Sequence, residues 1–97
     1  MKIIHGWADI DPTHKDRVAE AAAALETKSL SEPGNVHYGL SWSIDKPARL
    51  CLIEVWADEA AHLAHTQEPN VKAFSQLASE TCLEPPTFFA YEGPSKL

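Results

Sequence analysis

The chain has 97 residues, the size of one domain, and its apolar fraction of 44% and charged fraction of 23% are ordinary for a globular protein. Eight basic residues against 14 acidic ones give a net charge of −6, which disfavours binding to nucleic acid or to an anionic membrane surface. No apolar run approaches the roughly 20 residues that a membrane-spanning helix needs.

The first third of the sequence predicts a strand, a helix and a turn. Residues 2–10 are rich in β-branched and aromatic side chains, which favour a strand. Asp11 and Pro12 indicate the start of a helix running to about Leu30, because Asp accepts hydrogen bonds from free N–H groups and Pro fits the first helical position. Residues 32–34 (Glu-Pro-Gly) favour a turn.

Two strands of different character follow. Residues 35–44 alternate between polar and apolar types, so that the apolar ones share a face. Residues 49–57 are apolar on both faces, which indicates that both faces are covered. The apolar face of the first of these strands would consist of Val36, Tyr38, Leu40, Trp42 and Ile44.

The last part of the chain predicts two helices and a final strand. Asp58 is a favourable N-cap for a short helix ending near Thr66, and Pro69 begins another helix. Residues 87–92 follow two prolines and favour a strand, and we expect residues 93–97 to form a flexible tail.

The resulting β-α-β-β-α-β order is typical of the ferredoxin-like α+β fold, in which helices cover one face of a four-stranded antiparallel sheet. Residues 1–97 then form a single domain. Because the third strand is apolar on both faces, we expect a second copy to cover the open face in a sheet-to-sheet homodimer. Two cysteines without a secretory signal predict free thiols in the cytoplasm.

Four segments together resemble the antibiotic biosynthesis monooxygenase (ABM) domain, in its branch of small bacterial quinol-monooxygenase-like proteins. The segments are 32–35 (Glu-Pro-Gly-Asn), 52–56 (Leu-Ile-Glu-Val-Trp), 58–65 (Asp-Glu-Ala-Ala-His-Leu-Ala-His) and 69–74 (Pro-Asn-Val-Lys-Ala-Phe). The resemblance implies a dimeric α+β barrel with a pocket between helices and sheet in each subunit. It also implies oxidation of quinols or phenols by O₂ without flavin, haem or metal.

Other members of the same family degrade haem or isomerise a phosphorylated sugar. The haem-degrading relatives place a histidine ligand near the position of Ser75, and a serine does not ligate haem as imidazole does. We therefore expect no haem and no other cofactor. A metal site needs three or four converging ligands, and His62 and His65 are predicted to point in different directions, so we expect no metal either.

His65 is the first candidate for a catalytic residue. In the short helix, the alanines and Leu63 predict an apolar arc toward the sheet, with His65 at its edge and His62 opposite, in solvent. A half-buried imidazole can move a substrate proton near neutral pH. The resemblance also places His65 in the helix that lines the pocket. The alternative is a structural histidine bonded to a backbone carbonyl.

Glu54 is the one charged residue inside the third strand, where a carboxylate needs a partner or a proton. The resemblance includes Glu54 and, two residues later, Trp56, which would supply an apolar wall of the pocket. The alternative for Glu54 is a structural tie within the sheet or to a partner subunit.

The second strand offers two sets of pocket residues, and parity alone does not choose between them. If the face of Asn35 and His37 meets the helices, these side chains would orient a substrate oxygen; otherwise Tyr38 would line the cavity. His5, on the first strand, is a further candidate for the same pocket.

We therefore expect a monooxygenase that oxidises a small quinol, phenol or enol with O₂, with His65 as the base or the anion-stabilising group. One alternative is a cofactor-free isomerase of a small oxo-compound that uses the same histidine. Another is a dimeric domain that binds a small aromatic molecule without turning it over.

Overall fold

A computed structural model describes residues 1–93 of the chain; residues 94–97, most of the predicted tail, lie outside the described residues. A short 3-10 turn, Pro12–His14, leads into the first helix. The elements in chain order are β1 (Lys2–Asp9), α1 (Lys15–Leu30), β2 (Asn35–Trp42), β3 (Arg49–Trp56), α2 (Glu59–Thr66), α3 (Pro69–Thr81) and β4 (Thr87–Glu92). The predicted order of strands and helices is confirmed.

The four strands form one antiparallel sheet in the order β2-β3-β1-β4. This is the ferredoxin-like arrangement that the sequence predicts. The central strands β3 and β1 pair over their full length, from Lys2 opposite Trp56 to Asp9 opposite Arg49. Side chains on β1 therefore alternate strictly, with Ile4 and Ala8 buried and His5 exposed.

The helices pack on one face of the sheet and bury two apolar clusters that share Leu40 and Phe74 at their edges. The first cluster is centred on Ala8, Ile10, Val18 and Leu50. The second is centred on Leu25, Tyr38 and Trp56. Residues of both clusters, such as Leu50 and Leu25, also line the cavity described below.

A tight turn joins α1 to β2 and also contacts α2. Gly34 has φ +80°, a left-handed conformation that glycine adopts without strain. A side chain at this position would overlap the Cβ atom of Ala61 on α2. The Gly34 carbonyl accepts a hydrogen bond from the Ala57 N–H at 2.8 Å, just after β3. The turn is thereby fixed against both β3 and α2.

The alternation predicted for β2 fails at both ends of the segment. The register between β2 and β3 shifts between Asn35 and His37, and Val36 at this irregularity is 44% exposed. Ile44 lies beyond the end of β2 and is fully exposed. The buried face of β2 is therefore shorter than the predicted one and begins at Tyr38.

The other face of the sheet carries no helix among residues 1–93. On this face Cys51, Ile53 and Val55 of β3 are only partly buried, and Phe89 and Tyr91 of β4 are about half exposed. The double-sided cover predicted for β3 is thus supplied on one side only within a single chain. None of the described helices is both long and apolar enough to cross a membrane.

Candidate active site

A cavity of about 400 Å³ lies between the sheet and helices α2 and α3. Most of its wall is apolar, and its polar side chains cluster at the end where α2 meets β2 and β3. No lysine or arginine of residues 1–93 lines it. The apolar wall includes Ile4, Leu25, Leu40, Leu52, Val71, Phe74 and Phe88, and the polar groups include Tyr38, Glu54, His62 and His65.

His65 lies near the end of α2 and is 2% exposed. Its Nδ1 atom is 3.0 and 3.2 Å from the two carboxylate oxygens of Glu32. Its Nε2 atom is 3.5 Å from Oε1 of Glu54, longer than an ordinary hydrogen bond. The imidazole is therefore held tightly at Nδ1 and loosely at Nε2.

Glu54 projects from β3 toward the helices and is buried in the cavity wall. Its Oε1 accepts a hydrogen bond from the indole Nε1–H of Trp56 at 2.9 Å. Burial raises the pKa of Glu54, against the smaller opposing effects of the Trp56 hydrogen bond and of His65. Glu54 and His65 thus form a buried acid–base pair beside the cavity.

Trp56 is fully buried and supports the site from behind rather than lining the cavity. Its ring packs against His65 with the centroids 4.6 Å apart. Together with the hydrogen bond to Glu54, this packing orients both members of the acid–base pair.

Tyr38 of β2 completes the polar end of the cavity, with its ring centroid 5.4 Å from that of His65. Burial, followed by the charge of Glu54, raises the pKa of Tyr38 well above its usual range. The phenol therefore stays protonated and offers an O–H donor. Of the two alternatives for β2, the structure places Tyr38 in the cavity.

Three other sequence candidates do not line this cavity. His37 is exposed on the opposite face of the sheet, and the Asn35 amide donates to the His37 carbonyl at 3.2 Å. His5 also lies on the opposite face, where its ring stacks on Phe89 with the centroids 6.3 Å apart. The expected placement of His5 and His37 in the pocket is corrected by the strand parity, because their neighbours Ile4 and Tyr38 face the helices. Asn35 lies before the register shift, opposite Trp56, at the start of β2 and outside the cavity wall.

The predicted orientation of α2 is right for His65, which faces the sheet, but wrong for His62 and Leu63. Leu63 is 54% exposed, whereas His62 is half-buried and lines the cavity. Burial, followed by the nearby His65, lowers the pKa of His62. The pattern of apolar residues does not predict which face of so short a helix is buried. The most deeply buried side chain of α2 is the His65 imidazole, which lies between two carboxylates. No group of three or more His, Cys, Asp or Glu side chains in residues 1–93 has the arrangement of a metal site.

Glu32 is a site residue that the sequence places in a turn and in the first segment of the family resemblance, without indicating a role in the site. Its carboxylate is 10% exposed and reaches the buried Nδ1 atom of His65. The signal that could have found it is an acidic residue directly before the Pro-Gly pair, in a chain with a buried histidine that needs an acceptor.

Comparisons with known proteins agree with this fold. The family model for antibiotic biosynthesis monooxygenase matches residues 1–77. A Bacillus subtilis (strain 168) protein named "Putative monooxygenase YcnE" is 24% identical over 85 residues, which cover 88% of this chain and 90% of that protein.

Solved structures of low sequence identity share the architecture. "Putative antibiotic biosynthesis monooxygenase from Nitrosomonas europaea" has a TM-score of 0.89 at 22% identity and covers 96% of this chain and 98% of its own. Rv0793 from Mycobacterium tuberculosis has a TM-score of 0.88 at 18% identity, covering 98% and 96% respectively. The resemblance seen in the sequence is confirmed, and the chain belongs to the antibiotic biosynthesis monooxygenase (ABM) family.

Proposed function

We propose that this protein is a cofactor-independent monooxygenase that oxidises a small, uncharged phenol, quinol or enol with O₂, with His65 as the base. The observation that carries the proposal is the buried imidazole of His65, whose Nδ1 is bonded to a carboxylate while its Nε2 is loosely held beside an apolar cavity. A carboxylate on one ring nitrogen makes the other nitrogen a better proton acceptor.

The cavity also favours this class of substrate. A volume of about 400 Å³ suits one small aromatic molecule, and its apolar wall would exclude water from a reactive anion. The lack of lysine and arginine in the wall, for the chain as described, disfavours a phosphorylated substrate. The polar end offers a base at His65 and a donor at Tyr38 for a substrate oxygen.

The proposed reaction balances without a cofactor. The substrate O–H bond breaks and its proton moves to Nε2 of His65, which leaves an electron-rich anion. The anion passes one electron to O₂, and the resulting radical and superoxide combine to form a C–O bond. His65 returns the proton to the outer peroxide oxygen. The peroxide then loses water, which removes the hydrogen of the attacked carbon, and one oxygen atom stays on the substrate as a carbonyl.

We further propose that the protein acts as a homodimer that packs sheet against sheet, since the helix-free face carries partly exposed Ile53, Phe89 and Tyr91. A cytoplasmic location fits its two free thiols, Cys51 and Cys82, which are rare in oxidising compartments.

The test is oxygen consumption with a panel of hydroquinones and naphthols, measured in an oxygen electrode with and without a chelator. We expect uptake that survives chelation and falls by about 10²–10⁴-fold in His65→Ala, as for the loss of a general base. His14→Ala is the matched control, because His14 lies before α1 and away from the cavity.

Two outcomes would contradict the proposal. Conversion of the substrate at an equal rate under nitrogen would favour an isomerase. Tight binding of these phenols without turnover, in a protein whose His65 is intact, would favour a binding domain.

A further inference from the structure

We propose that Glu32 is a positioning residue, which holds the His65 imidazole in the tautomer with the proton on Nδ1 and so leaves Nε2 as the basic atom beside the cavity. The catalytic consequence of this arrangement rests on the function proposed above; the arrangement itself does not. Of the two carboxylates beside the His65 ring, Glu32 makes the shorter contacts, 3.0 and 3.2 Å to Nδ1 against 3.5 Å from Glu54 to Nε2.

The chemistry of the two groups fixes the direction of this hydrogen bond. A carboxylate can only accept, so contact with Glu32 requires the proton of a neutral imidazole to lie on Nδ1. The other nitrogen then carries the lone pair. In a neutral imidazole the two nitrogens differ in this way, and the partner of one sets the role of the other.

The environment of Nε2 leaves it available to a substrate. Among residues 1–93, Glu54 is the one carboxyl group within 4 Å of Nε2, at 3.5 Å. The nearer oxygen of Glu54 already accepts the Trp56 indole N–H at 2.9 Å. A substrate hydroxyl at the polar end of the cavity would therefore meet a loosely held nitrogen rather than one in a tight hydrogen bond.

The backbone holds Glu32 in a defined position. Its N–H donates to the Ser29 carbonyl at the end of α1, and its carbonyl accepts from the Asn35 N–H at the start of β2, both at 3.1 Å. The following residues are fixed at Gly34 against Ala61 on α2, the helix that carries His65. The carboxylate and the imidazole are thus linked through short, rigid segments, as positioning requires.

The chemical benefit arises when His65 takes the substrate proton. The ring then carries a positive charge in a buried site, and the Glu32 carboxylate compensates that charge at Nδ1. When the proton returns to the peroxide oxygen, the ring is neutral again with its remaining proton on Nδ1. His65 therefore ends the cycle in the protonation state in which it began, and the transferred proton leaves in the water that the peroxide releases.

The direct test is ¹⁵N NMR of histidine-labelled protein, at a pH where the His65 ring is neutral. In the wild type we expect Nδ1 to be protonated and Nε2 to be bare. In Glu32→Leu, which removes the acceptor, we expect the proton to move largely to Nε2, facing Glu54. In Glu32→Gln, whose amide oxygen can still accept, we expect the wild-type tautomer to be retained. Glu84→Gln removes one exposed carboxylate elsewhere and should change nothing.

Steady-state kinetics supply the second readout. We expect kcat of Glu32→Leu to fall by roughly 10²-fold with little change in KM, because the substrate still fits but the base is misoriented. Glu32→Gln should recover part of this loss. The rates are normalised to folded protein, because a loss of folded protein alone also lowers the apparent kcat without changing KM; a positioning role predicts that the deficit remains after this correction.

A wild-type spectrum with a bare Nδ1 and a protonated Nε2 would overturn the proposal, even if the leucine variant fails to fold. An unchanged tautomer in a folded Glu32→Leu protein would overturn it too. If the wild type consumes no O₂ with any phenol, the proposed function fails, while the NMR result still decides the role of Glu32.

Discussion

Burying the carboxyl group of Glu54 has a free-energy cost that the rest of the site must offset. Its side chain is 7% exposed, and the cavity wall around it is largely apolar. A hydrogen bond from Trp56 and the nearby His65 both favour the charged form, yet burial outweighs them and raises the pKa of the carboxyl group. The folded protein therefore binds this proton more tightly than the unfolded chain does.

This balance predicts how the stability of Glu54→Gln changes with pH. In the wild type, the stability associated with the protonated carboxyl is fully present below the unfolded-state pKa and is lost as the pH rises through the raised folded-state pKa. Glutamine does not ionise, so the variant avoids this loss. We expect its Tm relative to wild type to increase by a few degrees between acidic and neutral pH, since 1 kcal/mol corresponds to about 4–8 °C in a domain of this size.

The measurement is thermal unfolding followed by circular dichroism across that pH range, with Glu84→Gln as the exposed control. The control should keep a nearly constant difference from wild type. A Tm difference for Glu54→Gln that does not vary with pH would show that the folded state leaves the proton affinity of Glu54 unaltered.

The residue scale also shows where sequence reasoning ends. Glu54 is detectable because a single charge in an apolar strand demands a partner. The roles of His37 and Tyr38 cannot be assigned from the sequence, because alternation tells which residues share a face but not which face meets the helices. The contact between Glu32 and His65 cannot be predicted from the sequence, because the two residues are 33 positions apart and meet only when the turn packs on α2.

At the scale of elements, the turn between α1 and β2 determines the geometry of the site. Gly34 has φ +80°, and a Cβ atom there would lie 2.5 Å from that of Ala61. Two separate penalties therefore oppose any other residue: the left-handed backbone, which costs about 1–3 kcal/mol for most side chains, and the overlap with α2.

We expect Gly34→Ala to lower the free energy of unfolding by about 1–3 kcal/mol and to reduce activity as well, because a displaced turn moves Glu32 away from His65. Urea unfolding measures the first effect and oxygen uptake the second. The steric part can be isolated with Ala61→Gly, which removes the atom that the new methyl group would meet.

In a double-mutant cycle, Ala61→Gly should be less harmful in the Gly34→Ala background than in the wild type. Alone it should cost about 1 kcal/mol, the usual penalty of glycine inside a helix. Strictly additive effects would mean that the turn does not press on α2.

The elements themselves are largely predictable from the sequence, for local reasons. Asp58 caps α2 by accepting from the Ala61 N–H at 2.8 Å, and Pro69 occupies the first turn of α3, as their residue types indicate. The irregularity near Val36 and the orientation of α2 are not predictable, because each depends on what the segment packs against. The packing of α2 buries His65 and leaves Leu63 exposed, although leucine is the more apolar of the two.

At the scale of the whole molecule, one face of the sheet remains to be explained. His5, Trp7 and Phe89 form an aromatic cluster there, with ring centroids 5.6 to 6.3 Å apart. Ile53 lies beside this cluster, since it pairs with His5 across the two central strands. An exposed group of aromatic and apolar side chains of this kind is typical of an interface between protein chains.

The apolar residues on both faces of β3 predict that a second layer covers the helix-free face of the sheet. The proposed dimer would supply that layer. In the proposed sheet-to-sheet dimer the partner copy covers Ile53 on the inner strand β3, so that a charge there meets buried apolar surface. The Ile53→Glu variant should therefore be monomeric at micromolar concentration, whereas the wild type should have twice the mass of the chain by sedimentation equilibrium.

Ile44→Glu is the matched control, because it makes the same exchange at a fully exposed residue beyond the end of β2. It should sediment as the wild type does. Ile53→Glu could dissociate the dimer and also weaken oxygen uptake while the fold around His65 stays intact. In that case the second copy stabilises the cavity as well as covering the sheet. A wild-type mass equal to one chain would contradict the proposed dimer.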